Sequence, residues 1–424
     1  MIGEDGAEAE RGGEGKPAYT VVGFLDEAFG LAVASRNTVR ALGASGRRVA
    51  PIRVRHDHRV AEAPAAATDA GSVTVFHMNP HDVAAYAAQW RGGVDPRAPS
   101  VCVPFWEMPL VPRAWVPILE AMDAVLAPTR FIQAACEQAL PAGRVVHHPQ
   151  AVFLPEVREA RAEWGLPSAT TVFLLSFDIG SDIERKNPWA GVEAFRQAFP
   201  PDANVALVVK TKPYPTVPSY RAQARELAAR TQGDARIRIV EQALGYDELL
   251  RLYASCDVMV SLHRSEGLGL HLMEAMSLGK PVVATGWSGN MDFMSPESSI
   301  AVGHRLVPVK SNHPGYVSEL GREGQVWADA DVDEAARALR ALHEDRSRRL
   351  VMGAAAAREM ELRRKYMLSG AAFDALEAAL PSGGAPDPRR FARAIRDERA
   401  RLRWATLRRR ARMALRLLVG RGPR

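Results

Sequence analysis

Short apolar runs alternate with helix-like segments along this chain, and the alternation occurs twice. From residue 19, "YTVVGFL" has the pattern of a strand, "LAVASRNTVRALGASG" that of a helix closed by Gly46, and "RRVAPI" that of the next strand. "VTVFH", "SVCVPF" and "DAVLAP" follow, with helical stretches between them. Around residues 149–168 the pattern breaks at "PQAVFLPEVREARAEWGLP". A second series then begins: "TTVFLLSF", "ANVALVVK", "RIRIVE", "DVMVSLH" and "PVVAT". Strands separated by helices pair in parallel and are covered by helices on their faces. The fold class is therefore α/β, with two doubly wound domains in one chain, which suggests a cleft between them. Ligands in such sheets lie beyond the carboxyl ends of the strands. The residues just after each strand are thus the ones to read for chemistry.

A length of 424 residues exceeds what one core supports and agrees with two domains. We divide the chain into a disordered leader (1–17), an N-terminal domain (18–152), a C-terminal domain (153–345), closing helices (346–380), and a linker with a basic helix (381–424). The opening "MIGEDGAEAERGGEGKP" is acidic and Gly-rich, without an apolar signal segment, and no apolar run is long enough to span a bilayer. A cytoplasmic location is expected. Cys102, Cys136 and Cys256 are far apart and lie in or beside apolar stretches, which fits buried free thiols. His147 and His148 lack a third ligand, so no metal site is expected. Fourteen arginines against Asp397 and Glu398 give residues 388–424 a balance of +12, which leaves the rest of a +6 chain at −6. The basic character thus belongs to the tail. Of only seven lysines, Lys186, Lys210 and Lys212 fall close together.

The most informative stretch is "RSEGLGLHLMEAMSLGKPVVATGWSGN", residues 264–290. A strand, "DVMVSLH", precedes it, and a helix is expected from about Leu270 to Leu278, stopped by Gly279. Gly267 and Gly269 allow backbone shapes closed to other residues and let a ligand approach the main chain. The free amides and dipole of the helix start favour an anion. Glu266 stands before this start and Glu274 about one turn inside it. A carboxylate accepts from two vicinal hydroxyls at once. Two carboxylates around an anion-binding amide cluster suit a ligand with a diol, a diphosphate and a second polyol, which is the order of a sugar nucleotide. The dinucleotide fingerprint is absent, since Leu272 stands where a third glycine would be needed.

"EGLGLHLMEAMSLGKPVVAT" resembles the signature of family 4 retaining glycosyltransferases of the glycosyl transferases group 1 type, which have the GT-B fold of two Rossmann-like domains facing across a cleft. The resemblance implies that Glu274 holds the donor ribose and that Glu266 contacts the donor sugar. It also implies that the amides of Gly267, Leu268, Gly269 and Leu270 face sugar and phosphate. "SDIERKNPWAGVEAF" resembles the family's Lys-containing loop, which gives Lys186, with Arg185, the task of neutralising the leaving diphosphate. "FLDEAFGLAVASR" resembles the first-domain Gly loop, with Gly30 near the diphosphate and Arg36 on the helix behind. "RIVEQALGYDELLRLYASCDV" resembles the segment that passes the base, where Gly245 and Tyr246 lie. Three departures stand out. Ser176-Phe177 replaces a Gly-Arg pair, Ala32 stands where a second glycine is common, and "SGNMD" (288–292) replaces Gly-Gly-x-Pro-Glu. "SLHRSEG", "ERKNP" and "SGNMDFMSPE" together resemble a bacterial subgroup working on surface polysaccharides.

First-domain loops should meet the acceptor: His77 and Asn79 in "FHMNPHD", and Trp106 and Glu107 in "PFWEMP". His263 and His271 flank the motif and are expected to pack or face solvent. The expected activity is that of a retaining glycosyltransferase with a UDP- or GDP-linked donor, a glycan or lipid-linked acceptor and no metal or other cofactor. A GT-B sugar-nucleotide epimerase and a non-catalytic scaffold are the alternatives. In the tail, Trp404, Leu407, Ala411, Leu415 and Leu418 recur every three or four residues among arginines. Such a helix can lie on an anionic membrane surface through residues 389–420, bind RNA, or pack on the body; the membrane is the partner expected, with no specific nucleic acid.

Overall fold

The computed structural model describes residues 17–27, 29–55, 72–89, 98–380, 393, 394, 396, 397 and 400. The expected leader up to residue 16, the linker and the apolar stripe of the basic tail helix lie outside the described residues.

Two six-stranded sheets form the body. The first contains β1 (Tyr19–Gly23), β2 (Val49–Arg53), β3 (Val73–His77), β4 (Ser100–Cys102), β5 (Ala124–Ala127) and β6 (Val145–His147), in the order β2-β1-β3-β4-β5-β6. The second contains β7 (Thr171–Ser176), β8 (Val205–Thr211), β9 (Ile237–Glu241), β10 (Val258–Ser261), β11 (Val282–Thr285) and β12 (Ser299–Val302), in the order β12-β11-β10-β7-β8-β9. All pairings within both sheets are parallel. The strand order reverses between β1 and β3 in the first sheet and between β7 and β10 in the second. These are the switch points at which a doubly wound sheet leaves a crevice.

Alternation along each strand explains why both faces are covered. On β7, Phe173 and Leu175 enter one apolar layer while Val172 and Leu174 enter the other. On β3, Phe76 points into one layer and Val73 and Val75 into the opposite one. Strands buried on both sides show continuous apolar runs rather than strict alternation, as the sequence does here.

Two segments tie the halves together. An antiparallel hairpin, β13 (His304–Pro308) and β14 (Val326–Ala330), follows the second sheet. Its residues Val309, Tyr316 and Trp327 are buried in the first domain's core beside Trp106 and Trp115. The sequence patterns did not reveal this hairpin. Next, the helix Arg346–Ser369 packs against the second domain through Met352, Ala356 and Met360, while Met367 reaches the first. The helix Ala371–Ala379 then lies on the first sheet, where buried Arg47 bonds Glu377 at 2.7 Å and Tyr19 donates to the same carboxylate at 2.7 Å.

Gly353 marks the tightest contact of the long helix. A Cβ there would stand 2.1 Å from the carbonyl oxygen of Gly279, the residue that stops the helix of the motif. Gly353→Ala should force the two backbones apart and cost about 1–3 kcal/mol, as overpacking does. A thermal melt should show a midpoint several degrees lower; an unchanged midpoint would mean that the contact is soft.

Candidate active site

The second sheet's switch point brings the site together. After β7 the chain forms a one-turn helix, Ile183–Lys186, in place of the loop expected from the sequence. After β10 it forms the turn 262–269 and then the helix Leu270–Ser277. Glu266, from the second segment, is 5% exposed and lies against both cations of the first. The Lys186 ammonium pairs with Oε1, and Arg185 Nη1 is 3.4 Å from Oε2. Burial alone would raise the Glu266 carboxyl, but Lys186 and then Arg185 hold it well below the usual carboxylate range. It is therefore an anion at any working pH.

Arg185 is turned inwards. It is 3% exposed, and its guanidinium donates to the carbonyls of Ser265 at 2.9 Å and Ser181 at 3.0 Å. It also faces Glu107 of the first domain at 3.9 Å. Its contacts thus hold the two loops around Glu266 in place. Lys186 is the neighbouring cation, and its one side-chain hydrogen-bond partner among the described residues is Glu266 itself.

The backbone around Glu266 is strained. Asp182 (φ 74°), Asn187 (φ 47°) and Ser288 (φ 76°) are the non-glycine residues with positive φ among the described residues. The first two flank Arg185 and Lys186; the third accepts the Glu266 N–H on its Oγ at 2.8 Å. Each conformation is held by side-chain bonds. Asp182 accepts from Glu184 N and from the Ser311 hydroxyl, and Asn187 donates to the Leu262 carbonyl at 3.0 Å. Ser288, at ψ −150°, occupies a region that only glycine enters freely. This is the position where the resemblance leads one to expect glycine. Such outliers gather where surrounding structure fixes a functional geometry.

Glu274 lies on the buried face of its helix, 3% exposed, among Leu272, Met273, Ala275 and Met276. Burial raises its pKa to about 7, against which the Tyr246 hydroxyl, donating to Oε1 at 2.9 Å, works in the opposite sense. The sequence placed Tyr246 near this region but gave no sign of the bond, because 28 residues separate the pair. Gly269, the N-cap, has φ 85°, a left-handed conformation that glycine adopts without penalty. The amides at the very start of such a helix have no preceding turn to bond and point out of its N-terminus, whereas that of Leu272 already bonds the Gly269 carbonyl at 2.9 Å. Gly30 of the first domain lies opposite: a Cβ there would meet Leu270 Cδ2 at 3.7 Å. Ser176, in place of the expected glycine, bonds the Tyr253 hydroxyl at 2.8 Å.

The first domain closes on this site. A Cβ on Gly267 would stand 2.8 Å from the carbonyl oxygen of Trp106, so glycine is what lets the two backbones touch. Thr129, which caps the helix Arg130–Glu137, also donates to the Gly267 carbonyl at 2.9 Å. Asp292 accepts from the Arg130 amide at 2.9 Å and pairs with His147 at 2.8 Å. His147 is thus an interdomain contact.

The first-domain candidates differ in what they face. Glu107 approaches Arg185 and accepts from Tyr316 OH at 3.0 Å. The Asn79 side chain accepts from Phe105 N at 2.7 Å, and the buried Trp106 indole donates to the Leu110 carbonyl at 2.8 Å. His77 is fully buried against Ser35, and burial pushes its pKa down to about 3. His263, also fully buried, joins Ser261, His271 and Asn290 in a hydrogen-bonded chain. No group of three metal-ligating side chains occurs among the described residues.

The strain at Ser288 can be measured. Ser288→Ala and Ser288→Gly both remove the acceptor of the Glu266 N–H, but only glycine relieves the backbone. Ser288→Gly should therefore be more stable than Ser288→Ala by about 1–3 kcal/mol. Denaturant titrations of the two variants check this; equal stability, or the reverse order, would contradict it.

Comparison with known proteins agrees with this geometry. Residues 186–308 match the family model described as Glycosyl transferases group 1, a span that contains Lys186, Tyr246, Glu266 and Glu274. The chain is 36% identical over 115 residues to sulfoquinovosyl transferase SQD2 of Arabidopsis thaliana, covering 27% of this chain and 18% of that protein. The fold is similar to sucrose-phosphate synthase from Thermosynechococcus elongatus (TM-score 0.60, 16% identity, 86% of this chain and 100% of that one). It is also similar to Anabaena HepE in complex with UDP and glucose (TM-score 0.57, 14% identity, 86% and 100%). Staphylococcus aureus TarM matches at TM-score 0.51 and 11% identity, over 74% of this chain and 55% of that one. The chain thus spans about a fifth of SQD2 and about half of TarM. It has the GT-B fold, and the segment of its second domain that matches the glycosyl transferases group 1 model, residues 186–308, contains both members of the Lys186–Glu266 pair.

Proposed function

We propose that the protein is a family 4-like retaining glycosyltransferase that moves a sugar from a nucleotide-linked donor to a glycan or lipid-linked acceptor. The observation that carries this reading is the pair of buried carboxylates, Glu266 and Glu274, on either side of the start of the helix Leu270–Ser277, with Lys186 against the first. Glu274 takes the ribose diol, the amides of the turn and helix start from Gly267 to Leu270 and Lys186 take the diphosphate, and Glu266 takes hydroxyls of the donor sugar. Before the donor arrives, Lys186 and Glu266 satisfy each other. The donor replaces that pair with two charge-assisted contacts, one on its phosphate and one on its sugar.

In the reaction the bond between the anomeric carbon and the phosphate oxygen breaks, and negative charge grows on the leaving diphosphate. Lys186 and the helix start stabilise that charge where it develops, which is the most effective place for it. The acceptor oxygen bonds the same face of the anomeric carbon, and its proton passes to the departing phosphate. Positive side chain and amide dipoles supply the charge this step needs, so we assign no metal. Glu107 faces the site from the first domain and is the acceptor-side group we favour. Synthesis of surface polysaccharide or glycolipid is the setting that the lipid-linked acceptor suggests. HepE was solved with UDP and glucose, which makes UDP-sugars the first donors to try before GDP-sugars.

A panel of UDP- and GDP-sugars, followed by released nucleotide, tests the reading. Turnover of one donor with release of its nucleotide is expected, and Lys186→Ala should lower it at least 100-fold at saturating donor, as loss of a group that stabilises transition-state charge does. Epimerised donor with no lasting nucleotide release would favour the epimerase, and binding without turnover the scaffold. A Lys186→Ala variant as fast as the parent would overturn the role given to Lys186.

We also propose that the basic tail holds the protein at an anionic membrane surface on the cytoplasmic side. No helix among the described residues is long and apolar enough to cross a membrane. Each Arg near an anionic surface adds about 1 kcal/mol. Removing residues 389–424 should release the protein from anionic vesicles, and binding by the full chain should fall as salt rises. Equal sedimentation of the two forms would contradict this.

A further inference from the structure

Tyr246 opens the helix Tyr246–Ala254, and the preceding Gly245 amide is fixed by Glu248 Oε2 at 2.7 Å. The tyrosine ring is therefore held at a helix start. Its hydroxyl makes the one side-chain hydrogen bond that the structure gives Glu274 among the described residues. The other groups facing this carboxylate are engaged elsewhere. Tyr253 pairs its hydroxyl with Ser176 and reaches Glu274 only through its field. Arg36, across the cleft, acts on Tyr246 while its guanidinium holds the Leu25 and Glu27 carbonyls at 2.7 and 3.0 Å. On Glu274's own helix, His271 turns to Ser261 at 3.3 Å, and the apolar neighbours have nothing to donate.

A carboxylate has about four lone-pair sites, and a vicinal diol needs two of them in a fixed plane. A glutamate flanked in its helix by leucine, methionine and alanine finds no second side-chain donor among the described residues to fix that plane. We propose that Tyr246 is a positioning residue: by donating to Glu274 it sets the carboxylate plane that reads the 2′,3′-diol of a nucleoside diphosphate. This rests on the reading that Glu274 holds the ribose. Burial and the nearby Glu274 charge push the Tyr246 phenol well up, so it stays a donor throughout the working range. Donation to the carboxylate favours its charged form. Nucleotide binding through an ionised Glu274 should therefore weaken as pH falls below about 7. Loss of the tyrosine hydroxyl should move that midpoint upward.

The test is calorimetric titration of UDP and GDP, and of the 2′-deoxy form of whichever binds more tightly, into the parent, Tyr246→Phe and Glu274→Gln. The parent should prefer the ribonucleotide by about tenfold or more, since a site built for a hydroxyl rejects the analogue lacking it. Tyr246→Phe should lose most of that preference while keeping its affinity for the deoxynucleotide, and its pH midpoint should rise. Glu274→Gln should lose both the preference and the pH dependence. If Tyr246→Phe weakens both nucleotides equally, or neither, the hydroxyl does no positioning and the proposal fails while the reading of Glu274 stands. If Glu274→Gln binds like the parent, or if neither nucleotide binds the parent, the reading itself fails and the proposal with it.

Discussion

Glu266 is a carboxylate removed from water, and it is tolerable there because two cations share it. An unpaired buried charge would cost several kcal/mol. Lys186 and Arg185 meet it from a different strand end, so the ion pairs also fix how the loops after β7 and β10 stand relative to each other. Arg185 extends the same network across the cleft to Glu107, and Tyr316 of the hairpin loop donates to that carboxylate. One charged group therefore fixes the switch point of the second sheet, the first-domain loop that faces it, and the hairpin that packs into the first domain's core.

The geometry also explains where backbone freedom is needed. Gly267 touches the Trp106 backbone, and a Cβ on Gly289 would stand 2.0 Å from the Gly267 carbonyl oxygen. Side chains at these positions would separate the layers that enclose Glu266. Where the sequence has no glycine, as at Asp182, Asn187 and Ser288, hydrogen bonds hold the chain in conformations it would otherwise avoid. The strain sits within a few residues of the ion pairs that resist it.

Much of the fold was legible in the sequence because parallel strands buried on both faces leave continuous apolar runs. The runs at 170–177, 203–210 and 281–285 each became a strand close to where the pattern put it. β6 and β12 were not found: β6 offers an apolar run of only Val145 and Val146 before His147 and His148, and β12 follows a run rich in Ser and Pro. The hairpin was missed for a different reason. Tyr316 and Trp327 serve the core of the other domain, so their own segment shows no periodic face. At the site, Glu266, Glu274 and Lys186 could be read from residue type and position after strands. Their pairings could not. Local spacing does not indicate that Lys186 lies on Glu266 80 residues away, nor that Arg185 faces inwards.

The central claim is that a sugar nucleotide lies between Glu266 and Glu274, over the start of the helix Leu270–Ser277. Amide hydrogen exchange of the full chain with and without a saturating nucleoside diphosphate tests it most directly. The account predicts slowed exchange confined to residues 183–187 and 264–274 and to the segment around Tyr246. Protection that appears elsewhere and leaves these segments unchanged would contradict it.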